Sequence, residues 1–283
     1  MTANAIEVRD LHKRYGEHEA VRGIDFEVRR GEVFGLLGPN GAGKTTTVEI
    51  LEGYRERSSG EVSVLGHDPA RRQIELRRRI GIVLQSGGIY NHLTPREALA
   101  HWASFYPRPR KVEEVLALSG LAEQADVRNR KLSSGQQRRL DLALALVGDP
   151  ELMFLDEPTT GFDPKARRGA WETVRKLKEL GKTVVLTTHY LDEAQALADR
   201  VAIVKDGRVL AIGPPRELGA DGERYRVAYR DGSGELVERQ TDDPTGLLHE
   251  LTAQALARGE QLQELSVGRP TLEDIYLELT ADA

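Results

Sequence analysis

Short apolar runs separated by glycines make up most of the chain up to about residue 85, and they predict strands. These runs are AIEVRDL, GIDFEV, EVFGLLG, GEVSVLG and RIGIVLQ, with a single helical stretch expected after Lys44. From about residue 86 to residue 150 the apolar positions recur with helical spacing instead, in TPREALAHWASFY, in KVEEVLALSG and in LDLALALV, which follows KLSSGQQRR. The pattern therefore predicts a strand-rich segment followed by a helical insertion.

Strands and helices alternate again after residue 150. The runs ELMFLD, KTVVLTTH, RVAIVKDG and RVLAIG are typical of strands, and helices are expected at about 164–180 and 190–198. Alternation of this kind predicts an α/β fold with a mostly parallel, buried sheet.

The stretch GPPRELGADGERYR interrupts this regularity with paired prolines and glycines, and it predicts a domain boundary near residue 220. We expect residues 1–218 to form one domain and residues 219–283 to form a small α+β extension. Strands are expected there in RYRVAYR, GELVERQT and LQELSV, and helices in PTGLLHELTAQALARG and TLEDIYLELT. Because about sixty residues make a marginal domain alone, we expect this extension to pack on something else.

Composition and charge exclude only a few classes of protein. The 283 residues are 39% hydrophobic and 30% charged, and 45 acidic against 40 basic residues give a formal net charge of -5. This balance gives no global electrostatic attraction to nucleic acid, and we expect no nucleic-acid partner. The chain has no cysteine, which fits a cytoplasmic protein and excludes thiolate chemistry. No apolar run approaches the ~20 residues that span a bilayer, and we expect no signal peptide.

The clearest chemical signal is GPNGAGKT, from Gly38 to Thr45, which matches the phosphate-loop pattern G-x-x-x-x-G-K-[ST]. An apolar strand precedes it and a helical pattern follows, which is the context that the motif requires. The glycines let backbone N–H groups point at phosphates, Lys44 supplies a cation and the Thr45 hydroxyl can ligate Mg²⁺. The motif predicts a site for the phosphates of a nucleotide and for Mg²⁺.

A second signal is LMFLDE, from Leu152 to Glu157, an apolar strand that ends in two carboxylates. Open α/β sheets bind ligands at the carboxyl ends of their strands. We therefore expect Asp156 to hold Mg²⁺ and Glu157 to polarise an attacking water.

Taken together, the motifs resemble those of the ATP-binding-cassette (ABC) ATPases. The chain contains, in that family's order, GPNGAGKT, a glutamine that ends a strand (Gln85), LSSGQ, LDEP, TGFDP and the histidine that ends VVLTTH (His189). The resemblance covers residues 5 to about 218. It implies a P-loop NTPase core with an N-terminal antiparallel β subdomain and a helical subdomain at about 86–150.

The resemblance also implies a role for each matching residue. Tyr15 looks like the aromatic residue that stacks on adenine, and Gln85 like the glutamine that senses Mg²⁺ and the attacking water. His189 resembles the histidine that contacts the γ-phosphate, beside Glu157 as the catalytic base. The implied metal ligands are Thr45, Gln85 and Asp156. The implied ATP contacts are Tyr15, Gly38, Pro39, Asn40, Gly41, Ala42, Gly43, Lys44, Thr45 and Thr46, with Ser133, Ser134, Gly135, Gln136 and Asp163.

The stretch KLSSGQQRRL, residues 131–140, reads as a helix start and allows two interpretations. As a simple cap, Ser133 with Gln136 or Ser134 with Gln137 satisfies the S-x-x-Q capping-box pattern. By resemblance to the family, the same helix start closes over ATP held by another copy of the chain, in a head-to-tail homodimer. Both interpretations can hold at once.

Two positions depart from the family's common pattern. The usual form is L-S-G-G-Q, and Ser134 stands at the first of those glycines, where a side chain either crowds the phosphate or adds a hydroxyl donor. Phe162 replaces the usual leucine before Asp163, which predicts altered packing at the dimer seam. Both departures bear on the rate of hydrolysis rather than on the role of the motifs.

The region from LQSGGIYNHLTPREAL to TGFDP looks most like the ATPase subunits of bacterial drug exporters of the daunorubicin-resistance type. That resemblance implies a separately encoded transmembrane permease, ATP hydrolysis coupled to export of drugs or other hydrophobic compounds, and a location at the cytoplasmic face of the membrane. We take residues 86–100 as a hypothetical docking surface, with a solvated loop and helix start as the plain alternative.

Other functions remain open from the sequence. The C-terminal extension either braces the dimer or touches the permease, or it is a packing appendage without a regulatory role. Non-transport cassette ATPases that act on nucleic acid or ribosomes usually carry long coiled coils, zinc-binding cysteines or two cassettes, and this chain has none of these. A P-loop kinase fits the LSSGQ helix and His189 poorly.

Overall fold

Twelve strands and nine α-helices are assigned within the part of the chain that the computed structural model describes, residues 4–84, 91–218, 225–268 and 272–281. The strands are β1 (Asn4–Tyr15), β2 (His18–Arg29), β3 (Val33–Leu37), β4 (Ser59–Val64), β5 (Ile80–Val83), β6 (Leu152–Asp156), β7 (Thr183–Thr188), β8 (Arg200–Lys205), β9 (Arg208–Gly213), β10 (Tyr225–Arg230), β11 (Leu236–Thr241) and β12 (Gln263–Gly268). The helices are α1 (Lys44–Leu51), α2 (Ile74–Arg79), α3 (Pro95–Ala103), α4 (Val112–Leu118), α5 (Ser134–Leu146), α6 (Pro164–Glu179), α7 (Leu191–Leu197), α8 (Pro244–Ala257) and α9 (Leu272–Ala281).

The first sheet is antiparallel, with strand order β2-β1-β4. Both long strands exceed the runs that the sequence predicted. In β1 the pairing register shifts between Val8 and Leu11, where Asp10 adopts φ 46°. A bulge of this kind adds a residue and reverses which positions face the core. The alternation of apolar and polar residues therefore breaks while the strand continues to Tyr15.

The central sheet has six strands in the order β5-β6-β7-β3-β8-β9 within the described residues. The pairs β5–β6, β6–β7, β7–β3 and β3–β8 are parallel. Only two residues, Asp206 and Gly207, join β8 to β9, and both have positive φ, as in the turn of an antiparallel hairpin. The predicted α/β class with a mostly parallel sheet is confirmed, and the carboxyl ends of β3, β6 and β7 meet at one edge.

Two hydrophobic clusters cover the two faces of the central sheet. On one face, Phe34 and Phe154 pack with residues of the antiparallel sheet and of α1. On the other face, Met153 and Leu186 pack with residues of α5, α6 and α7. The phosphate-loop helix α1 is thus buried between two sheets, which fixes the position of its first turn.

The predicted helical segment is present in the described residues 91–150 as α3, α4 and α5, which share a separate apolar cluster around Leu99, Leu116 and Leu140. The strand-rich segment before it contains one element that the sequence analysis missed, the short helix α2. In α2 only Leu76 is buried. One buried position gives no periodicity, so this helix could not be recognised from the pattern.

The chain divides into two compact units, Met1–Ile212 and Gly213–Ala283. The second unit contains an antiparallel sheet of order β11-β10-β12 and the helices α8 and α9, and Val227, Tyr229 and Leu251 form its core. The boundary at residues 218 and 219 stays a prediction from the proline-rich stretch. None of the described helices is both long enough and apolar enough to cross a bilayer.

Candidate functional site

The phosphate loop lies between the buried strand β3 and helix α1. A Cβ atom at Gly38 would lie 2.1 Å from the carbonyl oxygen of Val204, and one at Gly43 would lie 2.5 Å from that of Ala20. Gly43 also has φ 97°, and it forms the N-cap of α1. These two glycines are therefore required by the packing, and they let the chain turn so that helix α1 points its N-terminus into the loop.

Lys44 is held inside the loop by the loop itself. Its Nζ donates to the carbonyl oxygens of Gly38 at 2.8 Å and Pro39 at 3.0 Å, and it lies 3.9 Å from Glu157 Oε1. Burial lowers the pKa of Lys44, and the nearby carboxylates of Glu157 and Asp156 oppose that shift. A buried cation with this incomplete compensation favours an anionic ligand in the loop.

The remainder of the loop is braced by backbone hydrogen bonds. The N–H of Ala42 donates to the carbonyl of Pro39 at 3.3 Å, and the N–H of Gly207 donates to the carbonyl of Ala42 at 3.1 Å. Ala42 itself is buried. Pro39 and Ala42 therefore shape the loop, and the turn between β8 and β9 supports it from behind.

Asp156 lies at the carboxyl end of β6, beside the first turn of α1. Its Oδ1 accepts hydrogen bonds from the Thr45 hydroxyl at 3.3 Å and from the Thr187 hydroxyl at 2.5 Å. The Thr187 hydroxyl in turn accepts from the backbone N–H of Glu157 at 2.9 Å. The central sheet thus brings three strand ends and the phosphate loop to one point.

The oxygen ligands at this point fit magnesium. In the described part of the chain, no three His, Cys, Asp or Glu side chains form a metal cluster. Thr45 and Asp156 nevertheless provide two adjacent oxygens, and Mg²⁺ is usually bound by one or two protein ligands together with waters and substrate phosphates. The third predicted ligand, Gln85, lies outside the described residues.

Both carboxylate oxygens of Glu157 are engaged. Oε1 lies 3.3 Å from His189 Nδ1, and Oε2 accepts from the Thr160 hydroxyl at 3.1 Å. The backbone of Glu157 has φ 43°, which is unusual for a residue that is not glycine. The His189 ring packs on Tyr190, with the centroids 4.0 Å apart. The predicted base and the predicted γ-phosphate contact are therefore neighbours.

A cavity of about 490 Å³ opens over the phosphate loop. Its lining includes the predicted residues Tyr15, Asn40, Gly41, Gly43, Lys44, Thr45, Thr46 and Glu157. The Tyr15 ring is 39% exposed at the end of β1, and the side-chain cations of Lys13 and Arg55 lie 5.0 and 5.2 Å from its centroid. This volume is typical of a small-molecule site. A cavity lined by both an exposed aromatic ring and a buried lysine suits a nucleotide.

The lining also includes two residues that sequence analysis missed, His18 and Ala20. Both belong to β2, whose first residue pairs with Tyr15 across the turn of the antiparallel sheet. No motif marks them, because they reach the cavity only through this pairing.

The stretch KLSSGQ starts helix α5, and the structure selects one of the two predicted caps. Ser133 is the N-cap: its hydroxyl accepts from the Gln136 N–H at 3.3 Å, and its own N–H donates to Gln136 Oε1 at 2.9 Å. Ser133 and Ser134 are exposed, and Gly135 and Gln136 are half-buried. None of the four is among the described residues that line the phosphate-loop cavity of the same chain.

Asp163 likewise caps a helix and is absent from the lining of that cavity. Its Oδ1 accepts from the Ala166 N–H at 2.8 Å in the first turn of α6. Phe162, the departure from the usual leucine, is half-buried, and its N–H donates to the Thr159 carbonyl at 3.1 Å. Within one chain, the predicted ATP contacts thus fall into two groups, one at the cavity and one outside it.

Arg138 connects helix α5 to the end of strand β6, which carries Asp156. Sequence analysis missed this residue. Its buried guanidinium donates to the carbonyl oxygens of Leu84, Asp156 at 3.2 Å and Pro158 at 3.4 Å. Burial lowers the pKa of Arg138, and Asp141 and Asp156 oppose this. An arginine after LSSGQ resembles an ordinary exposed helix residue, so nothing in the sequence indicates this buried link.

Comparison with known proteins supports these observations. The family model described as ABC transporter matches residues 21–160. The daunorubicin resistance ATP-binding protein of Streptomyces coeruleorubidus is 38% identical to the chain, over all of this chain and 98% of that protein.

Two solved structures share the fold. The ATP-binding subunit of an ABC transporter matches with a TM-score of 0.70 and 26% identity, over 98% of this chain and 99% of that chain. A dimeric ATP-binding cassette in a post-hydrolysis state, bound to ADP and phosphate, matches with a TM-score of 0.65 and 26% identity, over 74% and 98%.

Proposed function

The chain belongs to the family of ABC transporter ATP-binding proteins, which hydrolyse ATP to drive transport, and from that premise we propose that it powers the export of drug-like hydrophobic compounds. The observation that carries the catalytic part is a chain of contacts beside the phosphate loop, which brings together Lys44, Asp156, Glu157 and His189. The export part is supported by the likeness to a daunorubicin resistance protein along the whole chain.

In the proposed site, the loop N–H groups and Lys44 bind the β- and γ-phosphates of ATP. Tyr15 stacks on the adenine, since its ring is exposed at the rim of the same cavity. Thr45 and Asp156, with Gln85, hold Mg²⁺, which neutralises charge on the phosphate oxygens when it is bound. The buried Lys44 contributes a second cation to the phosphate site.

Glu157 is the proposed base. Its carboxylate takes a proton from the attacking water as the water oxygen bonds to the γ-phosphorus and the bond to the bridging oxygen of ADP breaks. His189 and Thr160 hold its two oxygens, so that the carboxylate has a defined orientation. His189, beside Glu157, is also the proposed contact to the γ-phosphate.

The second group of ATP contacts is proposed to act in a partner copy. The start of helix α5 is exposed or half-buried and does not line the cavity of its own chain; it comprises Ser133, Ser134, Gly135 and Gln136. A helix N-terminus favours a phosphate, and the transferring γ-phosphoryl group needs positive groups on more than one side. ABC ATPase subunits dimerise, and in a two-fold dimer each α5 would cover the ATP of the other copy.

The partner in the membrane is a permease, because ABC ATPase subunits act with one, and we propose that it is encoded separately from this chain. This assignment puts the chain at the cytoplasmic face of the membrane. The docking surface hypothesised at 86–100 is described from residue 91 onward, where Thr94 caps helix α3.

A groove of about 630 Å³ is lined by residues that flank this segment in the sequence, Leu84 before it and Trp102 after it. It is lined by the end of β5 with Trp102, Tyr106 and Tyr54, and Tyr54 is 77% exposed. Aromatic side chains of this kind are the usual anchors of protein interfaces. We therefore propose that a cytoplasmic segment of the permease docks in this groove.

Tyr54→Asp is expected to weaken the association with membranes at least about tenfold, because the new charge would be buried against an apolar partner. The chain retained on salt-washed native membranes is measured by immunoblot. Leu180→Asp, an exposed apolar position outside the groove, is the control and should leave retention unchanged. If both variants are retained like the parent, the groove is not the docking site.

Export is tested with daunorubicin as the probe. A strain that lacks this chain should accumulate more of the fluorescent drug than its parent, and the intact chain should restore efflux. The variant Lys44→Ala should not restore efflux, because it lacks the cation that binds the phosphates. Equal accumulation in parent and deletion strains would contradict the drug-export proposal while leaving the ATPase assignment intact.

A further inference from the structure

A fully buried carboxyl group, Glu193 in helix α7, has no part in the mechanism so far. It is 0% exposed, and its Oε1 accepts hydrogen bonds from the Thr159 hydroxyl at 2.8 Å and from Trp171 Nε1 at 3.2 Å. Burial raises the pKa of Glu193, and the hydrogen-bonding side chains of Thr188, Thr159 and Trp171 oppose that shift. Burying a carboxyl group costs free energy unless hydrogen bonds compensate for the lost water. The residues that hydrogen-bond to Glu193 therefore indicate its role.

The first neighbour leads to the proposed base. Thr159 lies next to Thr160, whose hydroxyl donates to Glu157 Oε2 at 3.1 Å and whose N–H donates to the Glu157 carbonyl at 3.2 Å. Glu193 thus holds the Thr159 hydroxyl, and the next residue, Thr160, holds the carboxylate of Glu157. A shift of Thr159 would therefore move the hydroxyl that orients the base.

A second neighbour of Glu193, Thr188, leads to the other carboxylate oxygen of Glu157. Thr188, beside the Glu193 carboxyl group, ends β7 directly before His189, whose Nδ1 lies 3.3 Å from Glu157 Oε1. The Thr188 hydroxyl also accepts from the Tyr190 N–H at 2.9 Å, which shapes the turn that carries His189. Thr160 and His189 hold the carboxylate of Glu157, and Glu193 contacts the residue that precedes each of them in the sequence.

We propose that Glu193 is a positioning residue for hydrolysis: it anchors Thr159, and through Thr160 it keeps the carboxylate of Glu157 aimed at the attacking water. This inference rests on the proposed role of Glu157 as the base. It assigns no contact between Glu193 and ATP, so binding of the nucleotide should not depend on it.

The sharpest test is Thr159→Val, which keeps the shape of the side chain and removes the hydroxyl that reaches Glu193. We expect kcat to fall at least about tenfold, because small misplacements of catalytic groups have large effects on rate. The KM for ATP and the binding of a fluorescent ATP analogue should stay within about twofold of the parent.

The matched control is Trp171→Phe, which removes the other hydrogen bond to the same oxygen of Glu193 from the side of helix α6. It should lower the unfolding temperature without a comparable loss of kcat, since Trp171 is not followed by a residue that holds Glu157. Glu193→Gln should keep most of the activity, because an amide oxygen still accepts from Thr159, whereas Glu193→Leu should resemble Thr159→Val.

Glu157→Gln, assayed in parallel, separates the two proposals. If Glu157→Gln abolishes turnover while Thr159→Val and Glu193→Leu lose no more kcat than Trp171→Phe, the positioning role is wrong and the base assignment stands. If Glu157→Gln keeps substantial turnover, the base assignment itself is wrong. Should Glu193→Leu fail to fold, Thr159→Val against Trp171→Phe still decides the question.

Discussion

Glu157→Gln is expected to reduce ATP turnover at least about a hundredfold while ATP binding is retained. The amide cannot accept the proton of the attacking water, yet it preserves the size of the side chain and can still hydrogen-bond to Thr160 and His189. The phosphates are bound by the loop and Lys44, which the substitution does not alter. Phosphate release measures turnover, and equilibrium titration with an ATP analogue measures binding.

The same strand supplies a matched control. Glu151 directly precedes β6, at the end opposite to Glu157, and pairs with Arg79 and Arg30. These hydrogen bonds lower the pKa of Glu151 to about 2, although burial opposes the shift. Glu151→Gln should therefore leave turnover near the parent level. Substantial residual hydrolysis by Glu157→Gln would contradict its role as the base.

Part of this site could be predicted from the sequence because its motifs lie at the ends of strands. The spacing in GPNGAGKT and the position of Asp156 and Glu157 after an apolar run each specify local structure, and the parallel sheet then brings them together. The start of helix α5 could likewise be predicted from the local sequence. The choice between its two possible caps could not, and only the structure shows that Ser133 with Gln136 is the pair.

Residues whose role depends on tertiary packing could not be found in this way. His18 enters the cavity through strand pairing, and Arg138 and Glu193 are polar residues buried by contacts with distant segments. In the sequence they look like ordinary surface residues of strands and helices. Arg138 and Glu193 each hydrogen-bond to a loop or strand end at the site, which no periodic pattern records.

The fold shows the same division between local and tertiary signals. The elements of the C-terminal unit were predicted nearly to their ends, since glycines and a proline mark them. In β1 the bulge at Asp10 breaks the alternation that would have extended the strand to Tyr15, so the residue proposed to stack on adenine lay beyond the predicted strand. Tyr15 reaches the cavity because β1 continues past the bulge and pairs with β2 as far as His18.

Whether the start of α5 reaches the ATP of another copy can be decided with Ser133→Asp in the Glu157→Gln background. Aspartate is as good an N-cap as serine, so the helix should remain capped. Its negative charge, however, would face the γ-phosphate of the partner copy. We therefore expect Glu157→Gln alone to dimerise with Mg²⁺-free ATP, and the double variant to stay monomeric while still binding ATP.

Light scattering with and without ATP measures this difference. The control is Lys111→Asp, which adds an acidic residue at the exposed N-cap of the neighbouring helix α4 and should leave the dimer intact. If Ser133→Asp dimerises like its parent, Ser133 serves only as a cap and the phosphate contact between copies is wrong. If Ser133→Asp prevents dimerisation and Lys111→Asp does not, the new charge at the start of α5 repels the phosphate of ATP bound by the second copy.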